Sequence, residues 1–264
     1  MVVERCQHLW ERRENYLVCT KCSKQVLYLT KINELVADGK RKDGTKYTVR
    51  HNRHRYFFPG EWKLFINSFT DDKAELLFLT CLYTGGRIME VLHLKASDFN
   101  FDRETVRFRI IKQRKAKRTF YATGKTREFF VSKIFLKKAK AYVRKYHNAT
   151  DGYLFLDKDK LPENYESLNN EERKKYYKSS STLYHMLMKA HMKKTGISDW
   201  YNFSLHNIRK TYGNWMRTFS NITVTELCFR LGHDAQTYEA HYGSSLIFNP
   251  DERKEIADLF GEVK

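Results

Sequence analysis

From residue 59 onward, apolar positions follow the spacing of packed helices. Four large side chains share one predicted helix face after Pro59-Gly60: Trp62, Phe65, Ile66 and Phe69. A second helix is predicted over the apolar run 76–82, with Asp71 or Asp72 as its N-cap. Gly85-Gly86 predicts its end, because glycine readily turns the chain out of a helix. A third helix is predicted to begin directly afterwards.

The apolar period changes from helical to alternating after residue 105. Alternate positions carry the apolar residues Val106, Phe108 and Ile110, which predicts a strand. A basic turn over residues 112–118 leads to a second strand predicted at residues 119–123, and residues 97–101 supply a third. Together these segments predict a small three-stranded antiparallel sheet.

Helical patterns resume beyond the predicted sheet. Helices are predicted over residues 126–146, 181–194, 204–219 and 224–231, and over an apolar-faced tail at 251–260. Residues 157–180 are polar and contain Pro162, so they predict a loop. The whole pattern predicts a mostly α fold with a small three-stranded antiparallel β-sheet, an α+β domain over residues 59–264.

The first thirty residues are predicted to form a separate unit. Cys6 and His8 are separated by one residue, and Cys19 and Cys22 by two. Each close pair can present two ligands to one ion, and thiolate with imidazole favours tetrahedral zinc. A segment this short gains its folding energy from such a metal. The spacing therefore predicts a structural zinc site similar to a zinc ribbon, followed by a basic linker or arm over residues 31–58. The alternative is a chance grouping of these residues.

The charge balance indicates a polyanionic partner. The chain of 264 residues has 49 lysines and arginines against 31 acidic residues, a formal charge of +18. The surplus is dispersed along the chain, which favours nucleic acid bound by a folded domain over a surface charged only for solubility. The sequence has neither a long apolar run nor a secretory leader, so we expect a soluble, cytoplasmic, DNA-associated protein.

Four short motifs carry the candidate chemistry. In chain order they are Thr84-Gly85-Gly86-Arg87, His206-x-x-Arg209, Leu231-Gly232-His233 and, nine residues after that histidine, Tyr242. This ordered set resembles the catalytic domain of the tyrosine recombinase family over residues 59–246. The resemblance implies a site-specific DNA recombinase, or integrase. Such an enzyme cuts and rejoins double-stranded DNA through a 3′-phosphotyrosyl intermediate, without a catalytic metal or other catalytic cofactor.

The chemistry of phosphodiester cleavage accounts for these residue types. Arg87 and Arg209 can each offer planar paired donors to the anionic transition state. His206 lies three residues before Arg209, so one helix face presents both, and it would act in acid–base chemistry or donate to the phosphate. His233 would be a further donor to the phosphate, and Tyr242 the nucleophile that attacks phosphorus.

A lysine is expected to protonate the departing 5′ oxygen, because the family carries one in a β-hairpin. We favour Lys115, whose context of lysine, small residue and basic pair fits some family hairpins. Lys112, which directly follows the apolar strand, is the alternative. The other basic residues of this turn are expected to contact DNA phosphates.

Several of these residues have alternative interpretations. Arg87 and Glu90 could form only a surface ion pair at a helix start, although the family places a similar acid there to support the arginine. His206 could be a core histidine. Tyr238 lies one turn before Tyr242 and is a rival nucleophile, but the spacing from the Leu-Gly-His turn favours Tyr242.

Two other functions are compatible with this pattern. A type IB topoisomerase-like nicking and closing enzyme uses a similar constellation, and a non-catalytic DNA-binding regulator could retain the fold. Exchange of four strands implies a homotetramer on DNA, whereas the free protein could be a monomer. The tail helix could dock on its own domain or on a neighbouring protomer.

The segment before the catalytic pattern is too short for the N-terminal clamp that many family members carry. We expect the zinc unit and the basic residues 40–55 to reach DNA in its place. A lysine-rich chain with a zinc ribbon and no clamp suggests a viral or plasmid mobile element.

Overall fold

The computed structural model describes residues 10–13, 16–19, 25–27, 36–40, 46–50, 55–109, 126–147, 151–197, 199–232, 235, 238 and 248–261. The chain separates into two compact units, residues 1–55 and residues 56–264. None of the helices within these described ranges combines the length and the apolar character needed to cross a membrane.

The described residues of the first unit form two small antiparallel sheets. The larger is built from β1 (Trp10–Arg13), β2 (Tyr16–Cys19) and β3 (Gln25–Leu27), in that order. Trp10 pairs with Cys19, so the chain enters β1 and leaves β2 at the same end of this sheet. The second sheet is a hairpin of β4 (Val36–Lys40) and β5 (Lys46–Arg50), inside the segment for which the sequence predicts a linker or arm. Tyr47, Thr48 and Val49 are strong strand formers, which accounts for β5.

The second unit begins with three helices, and the ends of the second follow from its capping residues. They are α1 (Pro59–Ile66), α2 (Asp72–Thr84) and α3 (Ile88–Leu92), as the sequence predicts. Asp71 is the N-cap of α2, because its carboxylate accepts a hydrogen bond from the backbone N–H of Ala74 at 2.9 Å. Gly85 ends α2 in the left-handed conformation at φ +59°. A Cβ at this position would collide with the ring of Tyr212.

A three-stranded antiparallel sheet follows these helices. Its strands, in order, are β6 (Phe99–Asn100), β7 (Thr105–Arg109) and β8 (Thr126–Phe130). The sheet is confirmed, but the prediction that residues 126–130 begin a helix is wrong. Arg127 and Phe129 are buried while the residues between and beside them are exposed, which is the period of a strand covered on one face. The strand predicted at residues 119–123 lies outside the described residues.

Two long helices come next, α4 (Lys133–Tyr146) and α5 (Asn170–Lys194). Helix α4 begins after Ser132, whose hydroxyl accepts from the N–H of Ile134 at 3.2 Å. The prediction of a loop over residues 157–180 is wrong from residue 170, where α5 begins. Asn169 caps the first turn of α5. The segment lacks a continuous apolar face, so the sequence pattern does not reveal that it is a helix.

Among the described residues, three further helices complete the domain around an aromatic core: α6 (Leu205–Phe219), α7 (Val224–Leu231) and the tail helix α8 (Pro250–Phe260). All three were predicted at these positions. The tail helix packs on its own domain, where Phe260 contacts the rings of Tyr83, Tyr212, Trp215 and Phe219. The hydroxyl of Tyr83 also donates to the carbonyl oxygen of Leu259 at 2.5 Å. Of the two docking modes that the sequence leaves open, this structure has the tail on its own domain.

Candidate active site

Arg87 lies at the junction of α2 and α3, where Gly85 turns the chain. It is the N-cap residue of α3, and its guanidinium donates through Nη1 to Glu90 Oε1 at 3.0 Å. Nη2 donates to the carbonyl oxygen of Gly232 at 3.1 Å. The Arg87 side chain keeps 28% of its surface exposed, whereas that of Glu90 keeps 1%. The pair is therefore more than a surface ion pair, and Arg87 remains accessible to a ligand.

Arg209 approaches the same place from α6. Its Nη1 donates to the carbonyl oxygen of Gly85 at 2.5 Å, and its Nη2 donates to the carbonyl oxygen of Leu231. Leu231 and Gly232 are neighbours, so two arginines from distant parts of the chain donate to consecutive carbonyl groups. Arg209 is 1% exposed, and contact with a ligand would require the groups that cover it to move.

His206 lies one helical turn before Arg209 on α6. Its side chain is exposed, which excludes the alternative of a core histidine. The backbone N–H of Ser204 donates to Asn207 Oδ1 at 2.8 Å, and this contact fixes the first turn of α6, which carries His206. The opposite face of α6 is anchored in the core by residues such as Trp215. Helix α6 therefore presents an exposed imidazole next to a buried guanidinium.

A third arginine, which the sequence analysis did not identify, belongs to the same cluster. Arg127 on β8 is 4% exposed; its Nη2 donates to Glu90 Oε2 at 2.6 Å, and its Nη1 donates to the carbonyl oxygen of Arg230. Burial lowers the pKa of Arg127, and the Glu90 carboxylate opposes that shift. The sequence signal for Arg127 is its place in an alternating run with Phe129 and Val131, which the helix prediction concealed.

The C-terminal end of α7 receives hydrogen bonds from all three arginines. The last carbonyl groups of a helix have no partner within the helix, and cations are favourable beside them. Three successive carbonyl oxygens each accept from a different guanidinium: Arg230 from Arg127, Leu231 from Arg209 and Gly232 from Arg87. Gly232 turns the chain out of α7 at φ +60°, immediately before His233. The arginine cluster is therefore built around the Leu-Gly-His turn.

The charges of this cluster favour an anionic ligand. One carboxylate, that of Glu90, is bonded to two guanidiniums, those of Arg87 and Arg127. The group formed by Glu90, Arg87 and Arg127 therefore retains excess positive charge, and its most exposed member is Arg87. Guanidinium donors of this kind match the paired oxygens of a phosphate group.

The structure describes only some of the remaining predicted residues. Outside the described residues lie Tyr242, His233, Lys112, Lys115, Cys6, His8 and Cys22, and also the side chain of Cys19. The rival nucleophile Tyr238 is described and is 3% exposed. Its hydroxyl donates to the carbonyl oxygen of Gly213 at 3.3 Å. A phenol held in this way faces the backbone of α6 and would have to leave the core before it could attack a phosphate.

Comparison with known proteins places this cluster in a family. Residues 65–243 match the model of the phage integrase family. The fold is similar to that of XerA recombinase, with a TM-score of 0.53 and 17% identity over 80% of this chain and 66% of that chain. It is also similar to Tn1549 transposon integrase in complex with circular intermediate DNA, with a TM-score of 0.51 and 16% identity over 78% of this chain and 64% of that one.

A third similar structure is XerH site-specific recombinase bound to a palindromic difH substrate. Its TM-score is 0.50, with 13% identity over 87% of this chain and 62% of that one. The chain spans just under two thirds of the length of these solved structures. No curated protein matches it by sequence. At these identities the structural likeness establishes the fold, and the family match covers the segment that carries the arginine cluster.

Proposed function

Because the chain belongs to the phage integrase family, we propose that it is a site-specific tyrosine recombinase that cleaves and rejoins double-stranded DNA. One observation carries the proposal: Arg87 and Arg209 converge on consecutive carbonyl groups directly before His233. The structures of XerH and Tn1549 integrase hold DNA, which supports DNA as the partner. The formal charge of +18 supports it too.

The two arginines would bind the scissile phosphate. The pentavalent transition state concentrates negative charge on the non-bridging oxygens, and fixed guanidinium donors stabilise that charge more than they stabilise the ground state. Arg87 is exposed enough to engage the phosphate first. Because Arg209 is buried, we expect DNA binding to move the groups above it. Cations of the protein then neutralise the transition state, so the proposed chemistry requires no catalytic metal.

The covalent step is assigned to Tyr242. Its phenol oxygen attacks phosphorus and gives up its proton, the bond to the 5′ oxygen breaks, and that oxygen leaves as a hydroxyl after protonation. The product is a 3′-phosphotyrosine, which retains the phosphoryl bond for religation by a second 5′ hydroxyl. His206 and His233 would donate to the phosphate or exchange the phenol proton. Lys115, or alternatively Lys112, would protonate the leaving oxygen.

The assembly proposed for exchange is a homotetramer on DNA, because two duplexes contribute four strands to the reaction. The free protein can be a monomer, since α8 packs on its own domain. Sedimentation of the protein alone and with its target duplex would test this proposal. A complex that never exceeds one protomer per duplex while relaxing supercoils would instead favour a topoisomerase-like enzyme.

The mechanism is tested by trapping the covalent intermediate. A nicked suicide duplex carrying the target site releases the 5′ product and prevents religation, so the adduct accumulates. We expect wild type and Tyr238→Phe to form the adduct and Tyr242→Phe to form none. Absence of adduct with wild type, together with intact DNA binding, would favour the non-catalytic regulator. Recombinant joints between two duplexes would distinguish recombination from simple nicking and closing.

A structural zinc ion in the first unit remains a proposal. Trp10, two residues after His8 in the sequence, pairs with Cys19, so β1 begins beside the end of β2. Cysteine and histidine donors suit zinc at such a site. Elemental analysis of the purified chain should find one zinc per protein, and Cys22→Ser should reduce that content. A zinc-free wild type would contradict the proposal.

The first unit is also proposed to contact DNA. Its β4–β5 hairpin lies within a basic segment. Removal of residues 1–55 should weaken DNA binding and flatten the dependence of log affinity on log salt, because fewer phosphates would be neutralised. Equal affinity and an equal salt slope would contradict this role.

A further inference from the structure

The arginine on β8 suggests a role beyond charge balance. Resting on the function proposed above, we propose that Arg127 is a positioning residue that holds three parts of the active site in one arrangement. These parts are the helix start that carries Arg87, the turn that precedes His233, and the return strand of the hairpin that carries the candidate lysines.

The first connection runs through Glu90. Each oxygen of this buried carboxylate accepts from a different guanidinium: Oε1 from Arg87 at 3.0 Å and Oε2 from Arg127 at 2.6 Å. The backbone N–H of Arg87 also donates to Oε2 at 3.0 Å. Arg127 and the Arg87 backbone thus hold the same oxygen, which fixes the carboxylate plane. The orientation of the Arg87 guanidinium therefore depends on Arg127, although the two arginines need not touch.

The second connection joins β8 to the end of α7 in both directions. The Arg127 side chain donates to the carbonyl oxygen of Arg230, and the Arg230 side chain donates to the carbonyl oxygen of Phe130 on β8 at 3.2 Å. A Cβ added to Gly232 would lie 3.1 Å from Arg127 Nη1, so the guanidinium packs closely against the turn itself. Movement of Arg127 would therefore displace the residues directly before His233.

The third connection follows from strand order. Residue 127 pairs with Phe108 across the antiparallel β7–β8 pair, and residues 110–125, which include Lys112 and Lys115, connect these two strands. Arg127 is the second residue of β8 and is anchored at both ends of its guanidinium. It therefore fixes the point at which the lysine-bearing connection returns to the sheet.

Only arginine can make these contacts together. Its planar fork sends one nitrogen to the Glu90 carboxylate and the other to the Arg230 carbonyl, whereas a lysine ammonium is a point charge on a flexible stem. Arg127→Lys should preserve charge balance beside Glu90 while it loses the fixed geometry. Arg127→Met preserves approximate length but loses both contacts.

Arg109 offers a matched control in the same sheet. It lies on β7, donates to the buried carboxylate of Asp98 at 2.8 Å and to the carbonyl oxygen of His93 at 3.2 Å. Arg109→Met therefore also removes a cation from beside a buried carboxylate, but the partners of Arg109, Asp98 and His93, belong neither to the α7 turn nor to the Glu90 pair. Both methionine variants should lose stability, because each leaves a buried acid with less compensation.

The experiment distinguishes a slower cleavage reaction from a smaller amount of folded protein. Single-turnover adduct formation on the suicide duplex, at saturating full-length protein, gives an amplitude and a rate constant. We expect Arg127→Met to lower the rate constant about a hundredfold, as misplaced catalytic groups do, with DNA affinity near that of wild type. Arg127→Lys should recover part of the rate. Arg109→Met should reduce amplitude or thermal stability while its rate constant stays that of wild type.

Two results would overturn the inference while the proposed function stands. One is an Arg127→Met enzyme that loses only amplitude and stability and keeps its rate constant. The other is an Arg109→Met enzyme slowed to the same degree, which would mark the effect as general loosening of the sheet. A wild-type enzyme that forms no adduct would instead overturn the proposed function, and the inference with it.

Discussion

The hydroxyl of Tyr238 donates a hydrogen bond to the carbonyl oxygen of Gly213 at 3.3 Å, inside the core of the second unit. Because of this contact, the two candidate nucleophiles, Tyr238 and Tyr242, should respond differently when the phenol oxygen is removed. Tyr238→Phe should form the covalent DNA adduct at nearly the wild-type rate, because it removes only a structural hydrogen bond. The lost bond should cost about 1 kcal/mol in the free energy of unfolding.

Urea unfolding and adduct trapping on the same Tyr238→Phe preparation measure both effects. Tyr242→Phe serves as the matched variant, since it also removes one phenol oxygen, and it should abolish the adduct. If the adduct instead disappeared in Tyr238→Phe and persisted in Tyr242→Phe, the nucleophile would be Tyr238 and this buried arrangement would not be the one that reacts.

Glu90 should be the most important acid for the stability of the site. Glu90→Ala leaves Arg127 buried without its counter-charge, and we expect a loss of about 3 kcal/mol in the free energy of unfolding. Glu75 is a suitable control, since it pairs with Lys138 in a more exposed setting, and Glu75→Ala should cost less than about 1 kcal/mol. Equal losses in the two variants would show that the buried Glu90 pair stabilises the fold no more than the more exposed pair does.

Gly232→Ala should slow cleavage more than it destabilises the fold. The left-handed φ of +60° makes alanine unfavourable by about 1 kcal/mol. The added Cβ would crowd Arg127 Nη1 at 3.1 Å and would lie in ordinary contact with Arg87 Nη1 at 3.5 Å. Gly196 has a similar φ of +75° with no atom within 4 Å of an added Cβ. Gly196→Ala should therefore match the stability loss without the loss of cleavage rate, and a slow Gly196→Ala enzyme would assign the effect to backbone strain alone.

His93 should make stability depend on pH. Its Nδ1–H donates to the carbonyl oxygen of Met89 and its Nε2 accepts from the hydroxyl of Tyr165, both at 2.7 Å. Burial lowers the pKa of His93 from 6.5 to about 4, the bond to Met89 opposes the shift, and nearby Arg173 adds to it. As pH falls, the unfolded chain takes up the proton first. Stability is therefore complete above pH 6.5 and decreases by about 3 kcal/mol as pH falls towards 4.

Urea unfolding at several pH values would measure that dependence. His93→Gln should remove most of the slope between pH 4 and 6.5, because glutamine does not titrate. His185 is exposed, and His185→Gln should leave most of the slope in place. A His93→Gln protein with an unchanged slope would show that other groups are responsible for the pH dependence.

The tail helix should contribute strongly to the fold of the free protein. Phe260 is buried among four aromatic rings, and Phe260→Ala should cost about 4 kcal/mol in the free energy of unfolding. Asp258 on the same helix is exposed, so Asp258→Ala should change stability little. A Phe260→Ala protein as stable as wild type would indicate that the tail does not hold this position in solution.

Local signals were sufficient for most helices. Asp71 and Gly85 mark the ends of α2 through capping and a left-handed turn, and α7 occupies the predicted residues 224–231 because its apolar spacing and its glycine agree. The errors occur where local pattern and tertiary packing differ. Helix α5 has a polar first half that a cap and a few aromatic contacts hold in place. The short strand β8 has a local sequence pattern that also fits the start of α4.

The same distinction applies to the residues of the candidate site: some have a local sequence signal, and one does not. The motifs led directly to Arg87, His206 and Arg209, because each stands at a fixed offset from a glycine turn or a helix start. Arg127 has no such motif. Its importance depends on burial and on contacts with Glu90 and α7. Both partners are far from Arg127 in sequence, so these contacts can be recognised only in the folded structure.

The way α7 ends has a consequence for the order of events on DNA. Like charges repel, so three guanidiniums in water would move apart. Here the regular spacing of successive peptide groups holds each one by its own oxygen atom, and folding of the chain overcomes their mutual repulsion. On the proposed function, an arriving phosphate would therefore meet cations that the fold has already gathered, once the groups that cover Arg209 have moved.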